Sequence, residues 1–265
     1  MKIIHAPRVD ARYWTAITLA SVFGTNMGDF YAHESGLGIT KGLAVLALLT
    51  AAAFVAERFD NVRHQVYYWL VIIIIRTGAT NIADYMMYRM RVPEPWLTLG
   101  WAAVIAIFGW FTHAALTSGN KALTSGDKSA GALPKTNAPY WIAMLGCGVF
   151  GTILGDTCED VPRSMLSGMS KDTSEGIAAI VLFVVLMAVM LAVKNNVTRL
   201  IALYWFTVAV ARTAGTAIGD WLADEKIVKI GLSYSTLITG IAFVGVLVFW
   251  RSAAKDGVLV SEARA

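Results

Sequence analysis

Charge is scarce in this chain. Asp, Glu, Lys and Arg make up 15% of its 265 residues, 57% are hydrophobic, and the mean hydropathy is +0.59. Soluble domains carry roughly 25% charged residues, so a water-soluble globule is excluded. Cysteine is almost absent. The two present, Cys147 and Cys158, give no disulfide framework. The four histidines form no H-E-x-x-H, no C-x-x-C-H occurs, and there is no G-x-x-x-x-G-K-[ST] loop. With no evident nucleophile–base pair either, we expect a protein that is not an enzyme and has no certain cofactor. A short apolar core ending in a small-residue cleavage site is also missing after MKIIHAPRVDAR, so the first apolar segment is read as a permanent helix.

What is abundant is long apolar sequence. A membrane span takes about 20 mostly apolar residues, and eight stretches qualify, near 13–32, 37–56, 66–87, 96–116, 139–157, 175–193, 201–221 and 233–250. The stretch 117–138, TSGNKALTSGDKSAGALPKTNA, reads as a flexible linker between a first half, 1–116, and a second half, 139–265. The basic pI of about 9.1 could suggest nucleic acid, but the distribution of charge argues for topology instead. With both ends on one side, that side holds thirteen of the 22 Lys and Arg, the opposite loops hold seven, and the acids run the other way. The positive-inside rule then places both termini in the cytoplasm. No nucleic-acid partner is expected; the bilayer is.

The apolar stretches repeat. Tyr13-Trp14, Tyr68-Trp69, Tyr140-Trp141 and Tyr204-Trp205 each lead, nine residues later, to GTNMGD, ATNIAD, GTILGD and GTAIGD. The shared pattern is Y-W-x₉-[GA]-T-x-x-[GA]-D, without a gap, followed by a second, purely apolar helix. Four two-helix units imply parallel repeats about an axis along the membrane normal. The expected fold is therefore all-α, with eight transmembrane helices as four parallel repeats in a pseudo-fourfold arrangement, polar helices inside and plain ones outside. The YW pairs read as interface anchors. The [GA]-x-x-x-[GA] positions read as close helix packing. With those motifs in both halves, the chain resembles a bacterial family of tandem two-helix membrane units known as a repeat of unknown function. The resemblance implies a bacterial multi-pass inner-membrane protein and carries over no activity.

The candidate chemistry lies in the repeated polar residues. A carboxylate within a span costs on the order of 3 kcal/mol, and Asp29, Asp84, Asp156 and Asp220 stand at equivalent positions. Two arginines, Arg76 and Arg212, fall eight residues before their aspartates and leave a formal deficit of two negative charges. A divalent cation matches that deficit. Its ligands would be the four aspartates with Thr25, Thr80, Thr152 and Thr216 and the amides of Asn26 and Asn81. These are all oxygen donors of the kind that suits Mn²⁺, Mg²⁺ or Ca²⁺. An acidic outer mouth would follow from His33, Glu34, Glu159, Asp160, Asp224 and Glu225. The leading expectation is a secondary transporter or exporter of a divalent metal cation, Mn²⁺ first, with protons as counter-ion. An anion or small organic-acid carrier using Arg76 and Arg212 is the alternative, and a non-transporting scaffold or partner subunit is a second. A homo-oligomer is left open.

Overall fold

The computed structural model describes residue 7 and residues 9–60, 65–120, 136–194, 197–223 and 230–262. Its described secondary structure is helical, with eight α-helices and two short π-helical turns and no strand. The helices are α1 (Ala11–Asp29), α2 (Gly38–Phe59), α3 (Val66–Asp84), α4 (Glu94–Asn120), α5 (Ala138–Met165), α6 (Lys171–Val193), α7 (Val197–Ala223) and α8 (Gly231–Glu262). Each expected apolar stretch falls on one α-helix, and two of them, 13–32 and 66–87, run on into a π-helical turn. Among the described residues seven helices are long and apolar enough to cross a membrane. The eighth, α1, carries Thr15, Thr18, Ser21, Thr25, Asn26 and Asp29 among its 19 residues, which lowers its hydropathy.

The ends of these helices follow local chemistry. Asp10 caps α1 by accepting the Tyr13 N–H at 2.9 Å, and Asn137 caps α5 through the Tyr140 N–H at 3.2 Å. Side-chain acceptors there satisfy donors that the first turn leaves unpaired. Just after Asp29 and Asp84 the chain widens into π turns, Phe30–Glu34 and Tyr85–Arg89, with Ser35 N–H to Phe30 O at 3.1 Å and Met90 N–H to Tyr85 O at 2.9 Å. α5 instead continues as an α-helix past Asp156 to Met165, two turns beyond the expected end near 157.

The four motif helices touch in a closed cycle: α1 packs on α3, α3 on α5, α5 on α7 and α7 on α1. Each plain helix packs on the motif helix of the following unit, α2 on α3, α4 on α5 and α6 on α7, and α8 closes the cycle on α1. α8 runs antiparallel to α1, since Asn26 meets Ser235 while Phe23 meets Gly240 and Phe243. Both described ends of the chain therefore lie at the end of the bundle that holds Tyr13. The outer faces of the plain helices are apolar and exposed, as at Leu48, Trp110, Val184 and Phe249. Only a lipid environment tolerates so continuous an apolar exterior.

The small residues do what close packing asks. A Cβ built on Gly24 would stand 2.4 Å from Arg76 Cγ, one on Gly151 would stand 2.5 Å from Arg212 Cβ, and one on Gly215 would stand 2.2 Å from Ser21 Cβ. Gly28 and Gly155 meet Thr80 and Thr216 in the same way, at 2.7 and 2.8 Å. The YW pairs depart from expectation. All four tyrosines are buried, and Trp14, Trp69 and Trp141 are nearly so. The tyrosines do not anchor the bundle at a water interface. They converge at its centre, because a phenol withdrawn from water needs a hydrogen-bond partner, and for each one two of the other tyrosines supply it.

Candidate functional site

Counting from each motif tyrosine in steps of four gives five layers across the four inner helices. At about 1.5 Å rise per residue, each step is about 6 Å. The first layer is the tyrosine ring. Tyr13 Oη lies 2.6 Å from Tyr204 Oη and 3.1 Å from Tyr68 Oη. Tyr140 Oη lies 2.7 Å from Tyr68 Oη and 3.1 Å from Tyr204 Oη. The four hydroxyls thus close a circle in which each can donate one hydrogen bond and accept one. The second layer, Ile17, Ile72, Met144 and Val208, is apolar and fully buried.

The third layer is Ser21, Arg76, Gly148 and Arg212, one residue from each unit. Both arginines are fully buried, and they face opposite ways. Arg212 donates to Ser21 Oγ at 3.2 Å and approaches Met144 Sδ at 3.4 Å, on the tyrosine side. Arg76 reaches the fourth layer, the motif threonines. Its Nη1 donates to Thr80 Oγ1 at 2.8 Å and Thr152 Oγ1 at 2.9 Å. Its Nη2 donates to Thr25 Oγ1 at 2.5 Å and Thr216 Oγ1 at 2.6 Å.

The fifth layer is the aspartates. Asp29, Asp84, Asp156 and Asp220 all line one cavity of about 450 Å³ at the end of the bundle opposite the tyrosines. Thr25, Thr80 and Thr152 also line it, and His33, Glu159 and Asp160 stand around it as expected from sequence. Tyr88 stands with them, and Lys171 and Glu175 of α6, Ala223 and Leu232 complete the lining. Lys171 Nζ lies 3.0 Å from Glu175 Oε1, while Glu175 Oε2 and Glu159 Oε1 are buried without a protein partner. Sequence pattern alone could not place Glu175 here, because it belongs to a plain helix, α6, whose only signal was hydropathy.

Several expected ligands stand elsewhere. Asn26 turns away from the axis and donates to Ser235 Oγ on α8 at 2.6 Å. Asn81 donates to the Thr77 carbonyl at 3.3 Å and does not line the cavity. One residue past its threonine, each asparagine is rotated about 100° from it, which carries it off the inner stripe. Glu34 accepts from Ser233 Oγ at 2.5 Å and is also outside the cavity lining. Asp224 and Glu225 lie outside the described residues. The threonine oxygens are engaged by Arg76, so they accept from an internal cation. Among the described residues neither Arg76 nor Arg212 forms an ion pair with a motif aspartate. Also among them, no three of His, Cys, Asp and Glu stand close enough to hold a metal ion. The carboxylates surround a space instead of converging on a point.

A helical bundle with an apolar exterior and a layered polar axis defines a multi-helix membrane protein built on an internal repeat. The model of the family described as Repeat of Unknown Function (DUF347) matches the chain twice, over residues 12–60 and 203–256, so the chain carries this repeat. These are the first and last of the four Y-W units; the two units between keep the same motif and the same layer positions. No curated protein and no solved structure matches the chain.

Proposed function

We propose that the protein is a membrane transporter whose aspartate-lined cavity admits a cation, a divalent metal ion first and Mn²⁺ ahead of Mg²⁺ or Ca²⁺. All eight helices would span a bacterial inner membrane as four parallel repeats about a pseudo-fourfold axis. The cavity would open away from the cytoplasm and both termini would face it. The observation that carries this reading is that four equivalent carboxylates, one per unit, face one shared space. Among the described residues neither buried arginine pairs with them, and like charges at this depth repel. A cation in the space removes that repulsion.

A cavity of about 450 Å³ is larger than a bare ion. It suits an ion that keeps part of its water shell, as small divalent cations do, with waters bridging to the carboxylates. Glu159, Asp160 and Glu175 add negative potential at the entrance and concentrate cations there. Below the cavity, the Arg76–threonine layer, the apolar layer and the tyrosine ring fill the axis, so a transport cycle requires these layers to rearrange. Protons on the aspartates are the counter-ion this arrangement favours.

The anion-carrier reading gains less. All four terminal N–H groups of Arg76 already have acceptors, and Arg212 is buried beneath it. A non-transporting scaffold remains the second reading, and the closed axis is the observation that favours it. Mn²⁺ flux into proteoliposomes separates them. Replacement of Asp84 or Asp220 by Asn should lower flux about tenfold or more, equivalent to about 1.4 kcal/mol. Equal flux through wild type and a folded variant with all four aspartates changed to Asn would reject transport through this site.

A further inference from the structure

The threonine layer holds something that the cavity reading does not use. Four hydroxyls from four different helices surround one planar cation, and each accepts one of its four terminal N–H groups, at 2.8, 2.9, 2.5 and 2.6 Å. Two of these oxygens are committed as acceptors by their own bonds. Thr25 gives its proton to the Ser21 carbonyl at 3.0 Å, and Thr216 gives its proton to the Arg212 carbonyl at 3.2 Å. Their lone pairs consequently face the axis whatever lies there. The ring is built by all four units, whereas the guanidinium comes from one.

Pseudo-symmetry sharpens the point. Arg212 occupies the position in the fourth unit that Arg76 occupies in the second, yet it turns to Ser21 and Met144 instead. The ring thus takes a single guanidinium. Space for the arginine stem exists because Gly24 lacks a side chain, its absent Cβ falling 2.4 Å from Arg76 Cγ. Arg76 Nε has no partner, so the stem adds no polar contact to those made by the head.

We propose that the threonine ring is a binding site for a guanidinium-type cation in its own right, filled in this conformation by Arg76 as a tethered ligand. The chemistry that recognises the ligand is a planar fork of N–H donors matched to four converging hydroxyl oxygens. A compact ammonium or alkali ion lacks that fork. Thr25, Thr80 and Thr152 line the floor of the cavity, so truncating Arg76 opens the ring to solutes entering there. A free guanidinium then places two nitrogens in the ring and its third where Nε stood. The site does not depend on what the cavity above it carries.

The test uses the full-length protein in detergent, with guanidinium chloride at millimolar concentration as the probe and tetramethylammonium chloride as the ionic-strength control. Arg76→Ala should show a saturable rise in melting temperature with guanidinium and none with tetramethylammonium. Wild type, its ring already filled, should show no rise, and Arg76→Ala combined with Thr152→Val should lose most of it. If Arg76→Ala is unstable in plain buffer, guanidinium throughout purification should restore a monodisperse protein. A folded Arg76→Ala protein with no saturable guanidinium response, or an unfolded one that guanidinium does not rescue, overturns the proposal. So does an equal response in the threonine double variant. Loss of Mn²⁺ flux bears on the aspartate cavity alone and leaves this result standing.

Discussion

At the scale of the residue, a side chain's height along its helix is written in the sequence, but its partner is not. Spacing of four residues from each tyrosine marks which positions share a level, and the aspartates and threonines were legible for that reason. That the threonines accept from Arg76, and that the tyrosines accept from one another, depends on which helices stand side by side. Two measurements follow at this scale. Tyr68→Phe removes one hydroxyl from the ring and leaves Tyr13 and Tyr140 each one partner short. It should cost about 1–3 kcal/mol, the usual range for a buried group left unsatisfied, whereas removal of the exposed Tyr234 hydroxyl should be neutral. Equal melting temperatures for the two variants would show that the ring contributes no stability. Gly215→Ala puts a methyl 2.2 Å from Ser21 Cβ and 3.0 Å from the Ser21 backbone. Backbone cannot step aside, so α1 and α7 must separate, and a loss of about 1–3 kcal/mol is expected in thermal unfolding.

At the scale of the element, apolar length located all eight helices, and cap residues such as Asp10 and Asn137 explain where two of them start. The exits from the motif helices were not legible. By sequence the units pair as second with fourth, which share the arginine. By helix geometry the first resembles the second, since among the described residues these two turn into π-helix after the aspartate while the third stays α-helical. Such turns are frequent at functional positions, and here they set the wall of the cavity on one side while α5 and α6 supply Glu159, Lys171 and Glu175 on the other. Asn26 also acquires its role at this scale, as the polar link from α1 to α8. A double-mutant cycle of Asn26→Ala with Ser235→Ala should give a coupling of about 0.6–2 kcal/mol, typical of interhelical hydrogen bonds in membranes. Additive losses would mean that the 2.6 Å contact adds nothing beyond its two packing terms.

At the scale of the whole molecule, the two halves on either side of the linker pack against each other. α1 packs on α7 and α3 on α5, and one buried cluster contains Tyr13, Tyr68, Tyr140 and Tyr204. Neither half alone completes the tyrosine ring or the threonine ring. Co-expressed fragments 1–120 and 136–265 should therefore co-purify from detergent extracts, and each expressed alone should be recovered poorly. Independent, stable halves would contradict the closed cycle. By itself the sequence determined what periodicity and hydropathy can carry: helical spans, a fourfold repeated unit, and the five heights at which polar and apolar residues recur. Only the tertiary structure decided how those heights are used. It set Arg76 among the threonines and Arg212 beneath it, turned Asn26 outward, and brought the aspartates around a shared cavity. The reason is physical: a buried donor or carboxylate is settled by neighbours far away in the chain, and those neighbours exist only once the ring of helices has closed.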